Sequence, residues 1–509
     1  MIINKHIKTE LIDKTLPNYN TKLKIIEETQ EIIDSFLLDS TKSADIDNKV
    51  ALLYSADNDE IPSIITNFKE SLEESEHKFN ASLLDINNIT LFSGSFGNFT
   101  ATFSDDSSAT FSQAVLFVHD DNLIRFNGVY SVADFESPPA LIECLGKNIG
   151  TYTYKEVISY KDDYCQYNER REKHCAKCVD ICPTFGVGGD DSIMKLVFSH
   201  IDCISCGACI GVCPTNCLEY EELPKEGLEE IIDLYKDTKV FLCDYSGYEE
   251  LVNNNIILDE SLTPMVLPNI KMLNENDYLT ILQTSGYDVV IYNKNSILES
   301  VVSFINNITN QIYNRDSLLI ADIHNINELS NKAQKFAEYL YKNRYSKPYR
   351  ESFSQRIQYM IKDKDYGMAQ SIAPTYYGNI SINKEKCTLC LSCVGACNVN
   401  AIFARSDDFS LRFNPSICTT CGYCVDSCPE KVIELHRNGM ELNSNYFKSK
   451  ELTKDEPFKC VECGKVFSTK KSIDKIATMM SVAFANDPKK LKTLQCCSDC
   501  KVKVMFATN

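Results

Sequence analysis

The sequence predicts a multidomain chain of mixed α+β and α/β class, and three observations carry that expectation. Short apolar, strand-like runs alternate with helical repeats through the middle of the chain, one seven-cysteine pattern is written twice, and two separated cysteine pairs close the sequence. At 509 residues there is room for about three to five domains. With 44% apolar and 24% charged residues, the capacity to build cores is ordinary.

Residues 1–150 are expected to form an α/β domain with a small β element. Ile25, Ile26, Ile32, Ile33, Phe36 and Leu37 recur at helical spacing, Val50 to Tyr54 form an apolar run, and Ile61 to Ser75 is helical in period. From Ile89 to Phe135, β-branched and aromatic residues gather around the turn Asp105-Asp106-Ser107-Ser108. Farther on, Lys239 to Cys243, Met265 to Leu267, Tyr287 to Tyr292 and Ser317 to Ile323 read as strands. Helical patterns at Tyr248–Asn253, Asn276–Thr284 and Ser296–Ile312 separate them. That alternation predicts a parallel sheet in an α/β domain over residues 236–343. Its closing helix would carry Ile326, Leu329, Ala333, Phe336, Ala337 and Leu340 on one face. Residues 344–377, rich in Tyr and charge and holding Pro348 and Pro374, are expected as a linker.

Cysteine occupies 24 positions, mostly at gaps of two or three that suit metal ligation better than disulfides. Cys175, Cys178, Cys182, Cys203, Cys206, Cys209 and Cys213 recur 215 positions later as Cys390, Cys393, Cys397, Cys418, Cys421, Cys424 and Cys428. Each copy is a C-x2-C-x3-C half followed by a C-x2-C-x2-C-x3-C-P half, the run that holds [4Fe–4S] clusters in bacterial ferredoxins. Two such modules are expected, at 151–222 and 378–440. Three thiolates of a tight loop reach three irons of one cubane, and the fourth cysteine crosses to the other cluster, tying the halves together.

Cys387 completes the second copy, but the residue 215 positions before it is Glu172. Cys165 is the expected substitute, delivered by the inserted loop YCQYNERREKHC; Glu172 itself, a three-iron cluster or a solvent-ligated iron are the alternatives. The expected ligand sets are Cys165, Cys175, Cys178 and Cys213; Cys203, Cys206, Cys209 and Cys182; Cys387, Cys390, Cys393 and Cys428; and Cys418, Cys421, Cys424 and Cys397. Pro follows Cys182, Cys213 and Cys428, whereas Asn398 follows Cys397. Zinc would make no use of a third cysteine in a C-x2-C-x2-C run.

The pairs Cys460-x2-Cys463 and Cys497-x2-Cys500 are of another kind, and VECGKVF resembles a zinc-ribbon knuckle. Residues 455–509 are expected to be a small module holding one zinc, with Cys496 the rival of Cys497. A helix over Ser472–Phe484 would present Ile473, Ile476 and Met480 on one side. From Lys431 onward, 15 Lys+Arg stand against 9 Asp+Glu, a basic tail on an acidic body. Arg170, Arg171 and Lys173 are expected to offset local thiolate charge. Cys144, Cys217 and Cys243 have no partner pattern and are expected as buried apolar residues.

A formal charge of −19 argues against broad nucleic-acid or anionic-membrane binding. No secretory signal and no run of about 18 apolar residues is found, so a reducing cytoplasm is expected, where thiolates persist as ligands. Neither a phosphate-binding glycine loop nor a zinc-protease motif occurs. The cofactors carry electrons and no catalytic residue is expected.

GTYTYKEVISYKDDYCQYNERREKHCAKCVDICPTFGV with LVFSHIDCISCGACIGVCPT, QAVLFVHDDNLIRFNGVYSVADF and EPFKCVECGKVFSTK resembles the large polyferredoxin-type 4Fe–4S proteins that accompany bacterial molybdenum or tungsten formate dehydrogenases. Residues 238–312 are similar to the delta-subunit domain of methyl-viologen-reducing hydrogenases. The resemblance implies cluster ligation by the sixteen cysteines named above, and redox partners consisting of a dehydrogenase such as formate dehydrogenase and an electron acceptor. Only Cys243 remains in the delta-like segment, and Asn293 stands after its third strand, so that domain is expected to hold no cluster. The chain reads as an electron-transfer protein with four [4Fe–4S] clusters, probed against one alternative: a redox-sensing or assembly factor that binds a partner through its zinc module.

Overall fold

The structure, a computed structural model, describes residues 8–37, 40–56, 62–337, 349–485 and 487–506. Strands Asn80–Asp85, Lys49–Tyr54, Gln113–Leu116 and Val129–Ser131 lie side by side in that order as a parallel sheet. Successive residues of a strand point to opposite faces. Val50, Leu52 and Val115 therefore pack under helices Ser63–Glu74 and Pro138–Lys147, through Ile65, Phe68, Leu72, Leu141 and Leu145. Ala51, Leu53, Ala114 and Leu116 face the other way, onto the antiparallel meander Ile89–Ser95, Asn98–Phe103 and Ser108–Phe111. The small β element is thus shorter than expected: Gln113–Leu116 leaves it and joins the parallel sheet.

Helix Tyr19–Phe36 buries Ile26, Thr29 and Ile33, but not against that sheet. It packs on helix Lys225–Leu234 and strand Leu262–Leu267. Lys22 Nζ donates to the carbonyls of Glu260 and Leu262, each at 2.8 Å. The Phe36 ring sits so close to Gly227 that a β-carbon there would meet it at 2.4 Å.

The central domain is a four-stranded parallel sheet in the order Leu262–Leu267, Lys239–Asp244, Val289–Tyr292, Leu318–Ala321. Leu242, Met265, Val289 and Ile291 fill one core, and Phe241, Cys243, Val266 and Val290 the other. Its helices are Tyr245–Asn253, Glu275–Ser285 and Glu299–Tyr313. Asn274 and Asp277 form a capping box that starts the second of these.

Two expectations are corrected here. The helix expected to run from Ile326 to Leu340 ends at Lys332. Asp288, held by Arg315 at 3.0 Å, also takes the Gln334 N–H at 3.0 Å, and Phe336 N–H bonds to Gly286 O at 2.8 Å, which draws the chain out of the helix. Leu340 lies outside the described residues.

The expected linker over 344–377 is the second correction; residues 344–348 lie outside the described residues, and the rest is no tether. Helix Arg350–Ile361 buries Phe353, Arg356, Ile357, Met360 and Ile361. It lies on helix Glu275–Ser285, with Arg356 Nη1 donating to Gln283 Oε1 at 2.8 Å and Ser354 Oγ to Ser416 O at 3.2 Å. It therefore brackets the central domain to the second cysteine repeat. Phe353, 0% exposed and tilted against the stacked pair Phe304 and Tyr377, is the test of that role. Phe353→Ala should lower the opening free energy of this helix by about 3–5 kcal/mol, as measured by amide hydrogen exchange. The exposed Gln355→Ala should change it by less than about 0.5 kcal/mol.

Candidate metal centres

Both cysteine repeats fold alike. In the first, strand Ile158–Tyr160 pairs antiparallel with Leu218–Tyr220, and short helices Lys177–Ile181 and Ala208–Gly211 follow the cysteine loops. In the second, Asn379–Ile382 pairs with Ile433–His436, and helices Ser392–Ala396 and Tyr423–Asp426 take the matching places. The loops turn through left-handed conformations that aim main-chain N–H groups at sulfur. Ser205 N–H reaches Cys203 Sγ and Thr420 N–H reaches Cys418 Sγ, both at 3.4 Å. Such donors stabilise thiolates and any metal they hold. Gly207 must be glycine twice over: its φ is +73°, and a β-carbon would meet Met272 of the central domain at 2.9 Å.

The structure groups the thiols by fours. Cys387, Cys390, Cys393 and Cys428 line one cage walled by Ile382, Leu389, Leu411, Val432 and Ile433. Cys397, Cys418, Cys421 and Cys424 line another, whose wall includes Gln166 of the first repeat. In the first repeat, Cys209 feels the charges of Cys206, Cys203 and Cys182, and Cys178 those of Cys213, Cys175 and Cys165, with Cys178 and Cys209 linking the two sets. In the absence of a metal, burial pushes the Cys175 thiol up to about 11 and those of Cys393 and Cys418 up to about 12. Four convergent thiols in an apolar cage with amide donors are the donor set an iron–sulfur cubane uses.

Glu172 is not among them. Its carboxylate is exposed and lies within 4.8 Å of His174 and an Asp426 oxygen. Cys217, expected as a bystander, is in contact with the first set. The neighbouring Cys217 thiol lowers the pKa of Cys165 and of Cys213, and the Cys217 N–H reaches Cys213 Sγ at 3.3 Å. The signal was present: position 217 is matched 215 residues later by Val432, so the first copy carries one thiol more than the second. Cys243 is 0% exposed beneath the central sheet, as expected, while Cys144 is only half-buried.

The two repeats touch where they differ. Asn398, the residue in place of proline, donates its amide to Tyr164 O at 2.9 Å and to Cys165 O at 3.3 Å. Gln166 donates to Thr419 Oγ1 at 2.5 Å. Arg170, expected to offset nearby thiolate charge, instead reaches across to Ala396 O at 3.3 Å and lies over the Tyr423 ring at 4.8 Å. His174 packs on that same ring at 4.6 Å.

At the C-terminal end, the Sγ atoms of Cys460, Cys463, Cys497 and Cys500 all lie within 4.8 Å of one another, and Cys463 and Cys497 are 3.7 Å apart. A tetrahedral zinc with Zn–S near 2.3 Å sets its thiolates about 3.8 Å apart. The set therefore fits a single ion, and is tighter than thiolates standing on separate irons of a cubane. Against the cost of burial, the N–H groups of Cys497 and Cys463 hold Cys460 down to about 6. Cys496 is not one of the four: its Sγ donates to Lys492 O at 3.3 Å, although its thiol also lies beside Cys460. Hairpin Pro457–Lys459 with Val466–Thr469 and helix Ser498–Phe506 supply the four. Helix Lys470–Met480 lies between and buries Ile473, but Ile476 is 43% exposed, a correction to the expected apolar side. Lys475 pairs with Glu430, fixing this helix to the second repeat.

Comparison with known proteins agrees with this chemistry. A family model described as a 4Fe-4S dicluster domain matches residues 379–429, and one described as a 4Fe-4S binding domain matches 197–219. The first span holds all eight cysteines of the second repeat; the other holds Cys203, Cys206, Cys209 and Cys213. The chain is an iron–sulfur protein of ferredoxin type. Over 58 residues it is 34% identical to a ferredoxin of Methanothermococcus thermolithotrophicus, covering 11% of this chain and 92% of that protein. It belongs to the ferredoxin family by a module set inside a much longer chain. Among the described residues no helix is long and apolar enough to cross a membrane.

Removing the Asn398 amide would take a partner from two part-buried carbonyls of the Cys165 loop. Asn398→Ala should therefore speed amide exchange over residues 164–170, with a cost of about 1–3 kcal/mol. Exchange in the central sheet should be unaffected.

Proposed function

We propose that the chain is an electron-transfer protein in which four [4Fe–4S] clusters relay electrons between a dehydrogenase and a separate redox acceptor. When bound, each cluster supplies one-electron transfer without proton or group chemistry. Cys165, Cys175, Cys178 and Cys213 would hold one; Cys182, Cys203, Cys206 and Cys209 the second. Cys387, Cys390, Cys393 and Cys428 would hold the third, and Cys397, Cys418, Cys421 and Cys424 the fourth. The observation that carries this reading is the direct contact of the two repeats through the Cys165 loop, which puts the first and fourth cages on either side of one buried seam. A pair of independent ferredoxins would need no such contact.

The central domain supplies scaffold in this account: Cys243 stands without a second cysteine beside it, so no cluster is assigned there. Residues 455–509 hold one structural zinc through Cys460, Cys463, Cys497 and Cys500, a staple for a segment with little apolar surface of its own. The acidic body favours partners with basic or neutral faces. The resemblance to polyferredoxin-type proteins makes formate dehydrogenase the first donor to try, and a cytoplasmic setting suits sixteen reduced thiolates.

Anaerobic assay of reconstituted protein should find about sixteen irons and as many sulfides per chain; about eight would leave one repeat without clusters. Cys165→Ser should lose about four irons, while Glu172→Gln loses none and Cys217→Ser only shifts a potential. If Cys217→Ser loses the iron and Cys165→Ser keeps it, the eighth ligand is Cys217. Cys497→Ser should release the zinc and expose residues beyond Asp455 to protease with iron unchanged, whereas Cys496→Ser should be silent in both assays.

A further inference from the structure

Arg350 is a cation that is only 1% exposed, placed where the two repeats and the central domain meet. Its guanidinium donates to the carbonyl of Cys418 and, at 2.7 Å, to that of Tyr376, and it lies 3.9 Å over the Tyr377 ring. Among the described residues its Nε has no hydrogen-bond partner. Lys177, between Cys175 and Cys178 of the first repeat, places its ammonium 5.8 Å from the centre of the Tyr376 ring. Arg437 of the second repeat lies 5.1 Å from the same ring and donates to Thr420 O at 3.1 and 2.9 Å.

The carboxylate acting on this group is that of Glu275, which also accepts from the hydroxyls of Tyr349 at 2.7 Å and Tyr377 at 2.6 Å. Arg350 is buried, Lys177 is part-buried and Arg437 stands at the exposed rim of the same ring; with one carboxylate acting among them they leave net positive charge at the seam, and a buried cation without a counter-charge is strongly destabilising. The cages on either side are where negative charge belongs, since an oxidised four-thiolate cubane carries about −2 and gains one more on reduction.

We propose that Arg350, Lys177 and Arg437 are potential-setting residues for the two clusters that face each other across the seam, those of Cys165, Cys175, Cys178 and Cys213 and of Cys397, Cys418, Cys421 and Cys424. The inference rests on the four-cluster reading above. The step they favour is the gain of one electron by a cluster, given up by a reduced partner protein, with no bond or proton changing place. The cations stabilise the reduced form more than the oxidised one because the reduced form carries the larger negative charge. The seam thereby becomes a place where electrons collect, whichever end they enter.

The test is an EPR-monitored redox titration of the full chain with its iron counted first. Lys177→Gln and Arg437→Gln leave the buried Arg350 bonds intact. Each should move two of the four midpoint potentials to more negative values, lowering the reduction constant of those clusters about tenfold, or about 59 mV for one electron. Lys177→Arg, which keeps the charge, should restore the wild-type values within about a factor of two in that constant. Unchanged potentials in both glutamine variants at full iron content, or an equal shift of all four clusters, would overturn the proposal. A wild-type chain holding far fewer than sixteen irons would sink the four-cluster reading itself, before any variant is compared.

Discussion

The Asn398 amide and the two carbonyls it satisfies, those of Tyr164 and Cys165, are the contact on which the arrangement of the two repeats depends. A loop that turns back on itself to present a thiol inward must leave main-chain groups without partners of its own, and a buried carbonyl has to be paired. Here the partner comes from the other repeat. The loop that carries Cys165 and the Asn398 that stands where the other three runs have proline meet at this contact, and each is a point at which one repeat differs from the other. Duplicated modules that remained identical would have no complementary faces to join.

Around that contact the rest of the chain acts as a clamp. Helix Arg350–Ile361 presents Phe353 and Ile357 to the central domain and Arg350 to the second repeat, while Met272 packs on Gly207 of the first. The N-terminal sheet domain holds the far side of the first repeat, with Asp202 accepting the Phe96 N–H at 2.9 Å and Phe126 lying 4.6 Å from Phe185. The buried Arg350 and Glu275 are costly groups to remove from water, and their cost is met by carbonyl, tyrosine and carboxylate partners brought from three parts of the chain. That sharing makes the parts interdependent, which suits a protein whose task requires fixed distances between redox centres.

How much of this was legible depended on whether the signal was local. The parallel sheets could be read because Val50 to Tyr54 and Lys239 to Cys243 are apolar runs between helical repeats, and the cysteine spacing could be read because loop geometry fixes it within a few residues. Helix Arg350–Ile361 was hidden because two of its buried residues are arginines, whose burial depends on Cys418, Tyr376 and Gln283 far along the chain. The end of the helix at Lys332 was hidden for the same reason: Asp288 captures the main chain from 46 residues away. Asn398 is visible in the sequence as a departure from proline, but its role depends on the Cys165 loop that it meets. Cys217 has no spacing pattern to mark it as part of a site, although Val432 at the matching position makes it specific to the first repeat.

The central claim is that the seam joins two repeats into one electron path, and freeze-quench EPR after photoreduction tests it most directly. With one electron delivered per molecule, the account predicts that the signals of both repeats appear together within milliseconds, at a rate independent of protein concentration. Reduction confined at first to one repeat, with the second following at a rate proportional to protein concentration, would show that electrons cross between molecules and would contradict the account.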